Sequence, residues 1–187
     1  MPRLVLEAVI LCVILTGCGC EQAGYTQKDI VRIVNFELSP DESKIVFSAI
    51  TPVGNLDIWV INIDGKNLKK LTFQDLSPTN RIARFFKNHN WKNFFEIDMI
   101  LPEWTIDGRI SFCQKLSKSD MWATRAVSLI FWTINPDGTG KRFKTDKDVL
   151  LQRKPFDPIN RSEISDRSEK YKKKILLKDG NLSIMDL

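Results

Sequence analysis

From about residue 36 onward, apolar side chains recur every second position instead of every third or fourth, which predicts β-strands. Ile45-Val46-Phe47 and Asp57-Ile58-Trp59-Val60-Ile61 are β-branched and aromatic runs of strand length. Ile110-Ser111-Phe112 and Leu129-Ile130-Phe131-Trp132-Thr133-Ile134 repeat that pattern, and Ile175-Leu176-Leu177 with Leu182-Ser183-Ile184-Met185 repeat it again. Phe47 and Phe112 stand 65 residues apart, as do Phe112 and Leu177. A period of this kind predicts stacked units, because one short sheet cannot bury its own faces.

The turns between the runs repeat as well. Leu38-Ser39-Pro40-Asp41-Glu42-Ser43-Lys44 precedes the first strand pair, and Trp104-Thr105-Ile106-Asp107-Gly108-Arg109 occupies the same place in the second unit. Pro40 presets φ and Asp41 can bond its own backbone, so Ser39-Pro40-Asp41 predicts a tight turn. Ile61-Asn62-Ile63-Asp64-Gly65 matches Ile134-Asn135-Pro136-Asp137-Gly138. Gly54-Asn55-Leu56-Asp57-Ile58 matches Gly180-Asn181-Leu182-Ser183-Ile184, with Asp179 before it. Asp-Gly between strands predicts a type I′ hairpin with positive φ at both residues.

The combination W-S-P-D-G-K-x-I-x-F followed by I-W-x-x-N-x-D-G and L-T resembles the repeat of TolB-type β-propellers, a WD-repeat-like unit. Unit one carries it over Leu38 to Phe47, Asp57 to Gly65 and Leu68-Lys69-Lys70-Leu71-Thr72. Unit two carries Trp104, Asp107-Gly108, Ile110, Phe112, Trp132, Asn135 and Asp137-Gly138. Unit three keeps Phe156, Pro158, Ile175, Leu177, Asp179-Gly180-Asn181 and Ile184. The resemblance implies an all-β fold, an incomplete β-propeller of about three blades with loop or short-helix insertions. The units span about 36–73, 101–145 and 153–187, with an insertion at 74–100. Gln114 to Val127 and Asn160 to Lys174 read as further insertions that push strands apart. Propellers typically close with about 4 to 8 blades. Three units therefore imply either a shortened relative or a fragment of a longer propeller, which is the favoured expectation, or assembly with another copy.

The N-terminal segment reads as an address. Arg3 gives a positive start, and Leu4 to Thr16 is an apolar run broken only by Glu7. This is short of the roughly 20 residues a membrane span needs and fits a signal-peptide core. It closes on Leu15-Thr16-Gly17-Cys18, which resembles the lipobox of bacterial lipoprotein precursors. That resemblance implies a signal peptide over 1–17, lipid on Cys18, and a tether with a lead-in strand over 18–35. The protein would then face the periplasm or the cell exterior. Gly19 after the lipidated position favours the outer membrane of a Gram-negative cell.

Composition narrows the chemistry. The chain of 187 residues carries a net charge of +5, which permits anionic partners without demanding them. With one histidine, His89, a multi-histidine metal site is excluded. The four cysteines, at 12, 18, 20 and 113, form no C-x-x-C pair. Export would allow Cys20 and Cys113 to pair, though a buried thiol at Cys113 is the simpler expectation. No nucleophile elbow or phosphate loop is present. Asp41, Asp64, Asp107 and Asp137 all fall at turns, where Asp bonds backbone amides. No catalytic residue, metal or cofactor is therefore expected. The Lys170 to Lys174 run is expected to be a solvated loop, with no nucleic-acid role. Arg81 to Phe95 alternates basic and aromatic residues; its aromatics are expected to cap the flank of the blades, and the competing reading is a helix lying on a membrane or partner. The implied function is a non-enzymatic, lipid-anchored envelope protein that binds a protein or peptide. The alternative is the propeller part of an exported enzyme, of the prolyl-oligopeptidase or polysaccharide-lyase type, without its catalytic part.

Overall fold

The computed structural model describes residues 27–89, 94–120, 123–145 and 163–187. Among the described residues, eleven strands form three antiparallel sheets, none of which closes on itself, and there is one α-helix. Sheet I holds β1 (Arg32–Leu38), β2 (Lys44–Ile50), β3 (Leu56–Asn62) and β4 (Lys69–Lys70) in that order. Sheet II holds β5 (Phe94–Trp104), β6 (Ile110–Ser119), β7 (Thr124–Ile134) and β8 (Arg142–Phe143). Sheet III holds β9 (Glu163–Ser168), β10 (Lys173–Lys178) and β11 (Asn181–Asp186), with β10 between the other two. Helix α1 (Pro78–Asn88) lies between sheets I and II in the chain.

The repeat read from the sequence is visible in the pairing. Ser39 to Lys44 joins β1 to β2, and Thr105 to Arg109 joins β5 to β6. The two Asn-x-Asp-Gly segments join β3 to β4 and β7 to β8. Both fourth strands are only two residues long and pair at a corresponding place, Lys70 beside Trp59 and Phe143 beside Trp132.

The turn type differs from expectation at three of the four Asp-Gly pairs. Gly65, Gly108 and Gly138 have φ near +80°, while Asp64, Asp107 and Asp137 keep negative φ. The Gly65 amide donates to Asn62 O and the Asn62 amide to Lys66 O, and the same two bonds recur at 105–109 and 135–139. This is a type I turn followed by a left-handed glycine bulge, the three-residue hairpin. The aspartate's side chain explains the choice. Asp64 Oδ1 accepts from the Lys66 amide and Asp137 Oδ1 from the Thr139 amide, each at 2.9 Å. Only Asp179-Gly180 forms the expected hairpin with positive φ at both residues.

Three other expectations are corrected. Gln114 to Ser119 and Thr124 to Val127 do not push strands apart; they lengthen β6 and β7 into one long hairpin. The 74–100 segment is not wholly an insertion, since β5 of sheet II begins at Phe94. The 65-residue spacing also slips at its last step. Phe47 packs against sheet III and Phe112 against sheet I, whereas Leu177 packs back against sheet I. The hairpins before and after these strands differ in length, and a one-residue slip in a strand exchanges its faces.

Sheet I is the centre of the stack. Ile33, Ile45, Phe47, Ala49 and Trp59 form one buried cluster with Ile175 and Leu177 of sheet III. Val46, Ile58, Val60 and Leu71 form another with Met99, Trp104, Ile110, Phe112 and Ile134 of sheet II. The third sheet therefore packs on the first, in the order II–I–III, instead of following the second. Burial of sheet I on both faces accounts for the nearly continuous apolar runs of β2 and β3. Two contacts fix the I–III junction. The Ile33 amide donates to Gly180 O at 2.8 Å, and a Cβ at Gly180 would stand 2.3 Å from Arg32 Cγ. Glu42, left-handed at φ +61°, turns its carboxylate to the Ser168 hydroxyl (2.8 Å) and the Lys170 amide (2.9 Å).

Candidate functional site

The predicted turn residues serve their own hairpins. Asp41 Oδ1 accepts from the Ser39 hydroxyl at 2.6 Å and from the Ser43 amide at 3.1 Å, and Asp41 Oδ2 accepts from the Ser43 hydroxyl at 2.6 Å. These donors hold the Asp41 carboxyl down at about 2. The Thr105 hydroxyl donates to Asp107 Oδ1 at 2.5 Å. Hydrogen bonds from Thr139 likewise hold Asp137 below the ordinary carboxylate range. Pro40 is exposed beside the buried Ser39. The turn residues thus lie in separate hairpins and share no site.

Cys18 and Cys20 lie outside the described residues, so the lipid site and the pairing of Cys20 are not placed. Cys113 is buried in β6, and burial pushes its thiol up from the ordinary value. His89 is exposed at the end of α1; its ring stacks on Phe85 at 4.3 Å, and Nδ1 lies 2.8 Å from Phe85 O. Lys170, Tyr171 and Lys172 of the lysine run stand exposed in a turn, and Lys173 and Lys174 open β10. The Lys170 ammonium donates to Asp41 O at 3.3 Å, and Lys173 pairs with Asp186 at 2.5 Å. Among the described residues, no three His, Cys, Asp or Glu side chains converge as metal ligands would.

A polar network that sequence reasoning missed sits inside sheet I. Asp57 is wholly buried on β3. Its Oδ1 accepts from the Thr72 hydroxyl (2.6 Å) and the Gln74 amide (3.0 Å), and its Oδ2 from Asn55 Nδ2 (3.1 Å). The Lys70 ammonium lies 3.0 Å from Asp57 Oδ2 and 2.9 Å from Asp75 Oδ1. It also stands over the Trp59 and Phe73 rings, at 5.4 and 5.5 Å. Burial pushes the Asp57 carboxyl up against the pull of Thr72, Gln74 and Lys70. Burial would lower Lys70, but Asp57 and Asp75 together lift it above its ordinary value. The network anchors β4 and the chain leading to α1. The sequence signal was a lone aspartate inside an otherwise apolar strand.

Two surfaces are left open. The first is an apolar cleft of about 210 Å³ between sheets I and III, lined by Ile30, Ile33, Phe47, Ile61, Leu182 and Ile184 among others. It runs beside β11, whose outer edge is unpaired among the described residues. In sheet I, Ile58 O accepts the Leu71 amide at 2.8 Å, and in sheet II, Phe131 O accepts the Lys144 amide at 2.9 Å. The Gly-Asn match places Ile184 at the corresponding position of β11. The Leu187 amide donates to Lys172 O, so the alternation of antiparallel pairing turns the backbone groups of Leu182, Ile184 and Asp186 away from β10.

The second is the outer face of α1. Ser77 caps the helix by accepting from the Asn80 amide at 3.1 Å, and Pro78 occupies the first turn. The helix docks through its polar side. Asn80 Oδ1 accepts from the Ile97 amide (2.7 Å), and Asn80 Nδ2 donates to Ile97 O (2.9 Å) and Gln74 O (2.8 Å). Arg84 Nη2 donates to Asp75 O at 3.2 Å, and Ala83 is buried. At 100° per residue the opposite side carries Ile82 and Phe85, 57% and 56% exposed. The expectation that these side chains cap the blades is therefore corrected for Phe85, which points outward; Trp91 lies outside the described residues.

No family model and no curated protein matches the chain.

Proposed function

We propose that the chain is a non-enzymatic, lipid-anchored envelope protein whose TolB-like blades bind an extended segment of a protein partner at the edge of β11. The apolar cleft beside that edge carries the reading. In sheets I and II a two-residue fourth strand occupies the corresponding place; Leu71, just after β4, joins the buried cluster, and Phe143 of β8 stacks on Trp132. In sheet III the same backbone positions face outward beside about 210 Å³ of apolar space, room for one or two side chains. Strand addition gives affinity through main-chain hydrogen bonds and selectivity through alternate side chains. The repeated hairpins and the Leu15 to Cys18 box support the kinship and the envelope location.

The test uses a peptide reproducing residues 66–73, which contain the fourth strand of sheet I, offered to the intact chain. Binding should slow hydrogen exchange at the Leu182, Ile184 and Asp186 amides, and Ile184→Lys should abolish that protection. Unchanged exchange at saturating peptide, or equal protection in the Ile184→Lys variant, would remove the edge as the binding site.

A further inference from the structure

We propose that the outer face of α1 rests on an anionic membrane surface, so that the domain is held in one orientation against the bilayer. The inference rests on the anchored reading of Cys18 and adds a second point of attachment to it. The helix is amphipathic in the opposite sense to a core helix. Its polar side, through Asn80 and Arg84, is spent on β5 and the segment before the helix, while Ile82 and Phe85 face away from the protein. Leu76, just before the helix, is 59% exposed as well.

The charge specifies the occupant. Within eleven residues α1 carries no carboxylate; Arg84 is turned to the protein, and Arg81 and Lys87 remain as exposed cations. Arg81 is exposed beside the apolar stripe. Lys87 is 60% exposed and meets Glu96 only at 3.8 Å. Long cationic side chains beside an apolar face reach lipid head groups while the apolar face enters the acyl boundary. A lipid on Cys18 would lie twelve residues before Ile30, a contour of at most about 40 Å. The lipid would hold the chain to the bilayer, and this second contact would fix which face of the domain meets it.

The experiment uses the full chain reconstituted with vesicles of phosphatidylcholine alone or of phosphatidylcholine with phosphatidylglycerol, acyl chains brominated in a parallel set. Phe85→Trp places an indole at an exposed site where folding is not at risk. On phosphatidylglycerol vesicles the added emission should shift to the blue and be largely lost to brominated chains, with a smaller loss on phosphatidylcholine alone. Ile82→Asp in the same background should restore the emission while the chain still floats with the vesicles. An added indole that stays open to iodide on floating vesicles would overturn the proposal and leave the face to a protein partner, with anchoring at Cys18 intact. A chain that floats with neither vesicle would overturn the anchor and the helix contact together.

Discussion

Replacing Lys70 with methionine removes the cation from a site that holds two carboxylates. Lys70 and Asp57 are 5% and 0% exposed, and the Lys70 ammonium lies within 3.0 Å of both Asp57 and Asp75. Breaking a buried pair by deleting one partner costs about 3–5 kcal/mol, because the other charge stays buried without compensation. Asp57 keeps the Thr72 hydroxyl, the Gln74 amide and the Asn55 amide group, which sets the expected loss near the lower bound, about 3 kcal/mol. The loss should depend on pH. Burial already holds the Asp57 carboxyl above its ordinary value, and losing the cation lifts it further. A carboxyl raised in the folded state opposes folding when ionised and ceases to do so once protonated. The deficit of the variant should therefore shrink as pH falls from neutrality toward the ordinary carboxylate range. In the parent chain, the raised Lys70 contributes stability that is complete below its ordinary value of 10.5 and lost as pH rises beyond it. Urea unfolding followed by tryptophan fluorescence reads all of this, since Trp59 lies under the ammonium. Adding Asp57→Asn to Lys70→Met should cost less than the sum of the two single changes. A Lys70→Met loss below about 1 kcal/mol, the range of an exposed pair, or a deficit that does not change with pH, would refute the reasoning.

Asn80→Ala should cost about 2 kcal/mol by stranding the Ile97 amide and carbonyl, with faster hydrogen exchange at Ile97 and no change at Ile45 to Phe47 in sheet I. Gly65→Ala places a side chain at φ +79° in open space and should cost about 1 kcal/mol. Gly180→Ala adds a collision with Arg32 and should cost more, with lost protection at the Ile33 amide; equal losses at the two glycines would contradict the close approach of sheets I and III. The Asp41 carboxyl should titrate near 2 by NMR. Its contribution is complete above the ordinary 3.8 and is lost as pH falls through the lowered value; Ser39→Ala should return the midpoint toward the ordinary range.

The sequence by itself determined the local grammar. Strand runs follow from period-two burial, and the hairpin positions follow from Gly, Pro, Asp and Ser, whose backbone preferences act within four or five residues. Even there the Asp-Gly turn type was settled by the aspartate's bond to the amide two residues on, as at Asp64 and Asp137. Polar alternation over Gln114 to Ser119 did not separate an insertion from a strand extension, because a half-exposed hairpin tolerates polar residues on both faces. Only the tertiary structure decided what depends on contacts between distant segments. The order II–I–III is set by which faces of Phe47, Val46 and Leu177 meet, and a one-residue slip inverts each of them. Helical spacing in α1 shows a polar and an apolar side but not which one the protein occupies. Asn80, paired with both backbone groups of Ile97, turned the polar side inward and left Ile82 and Phe85 to whatever lies outside.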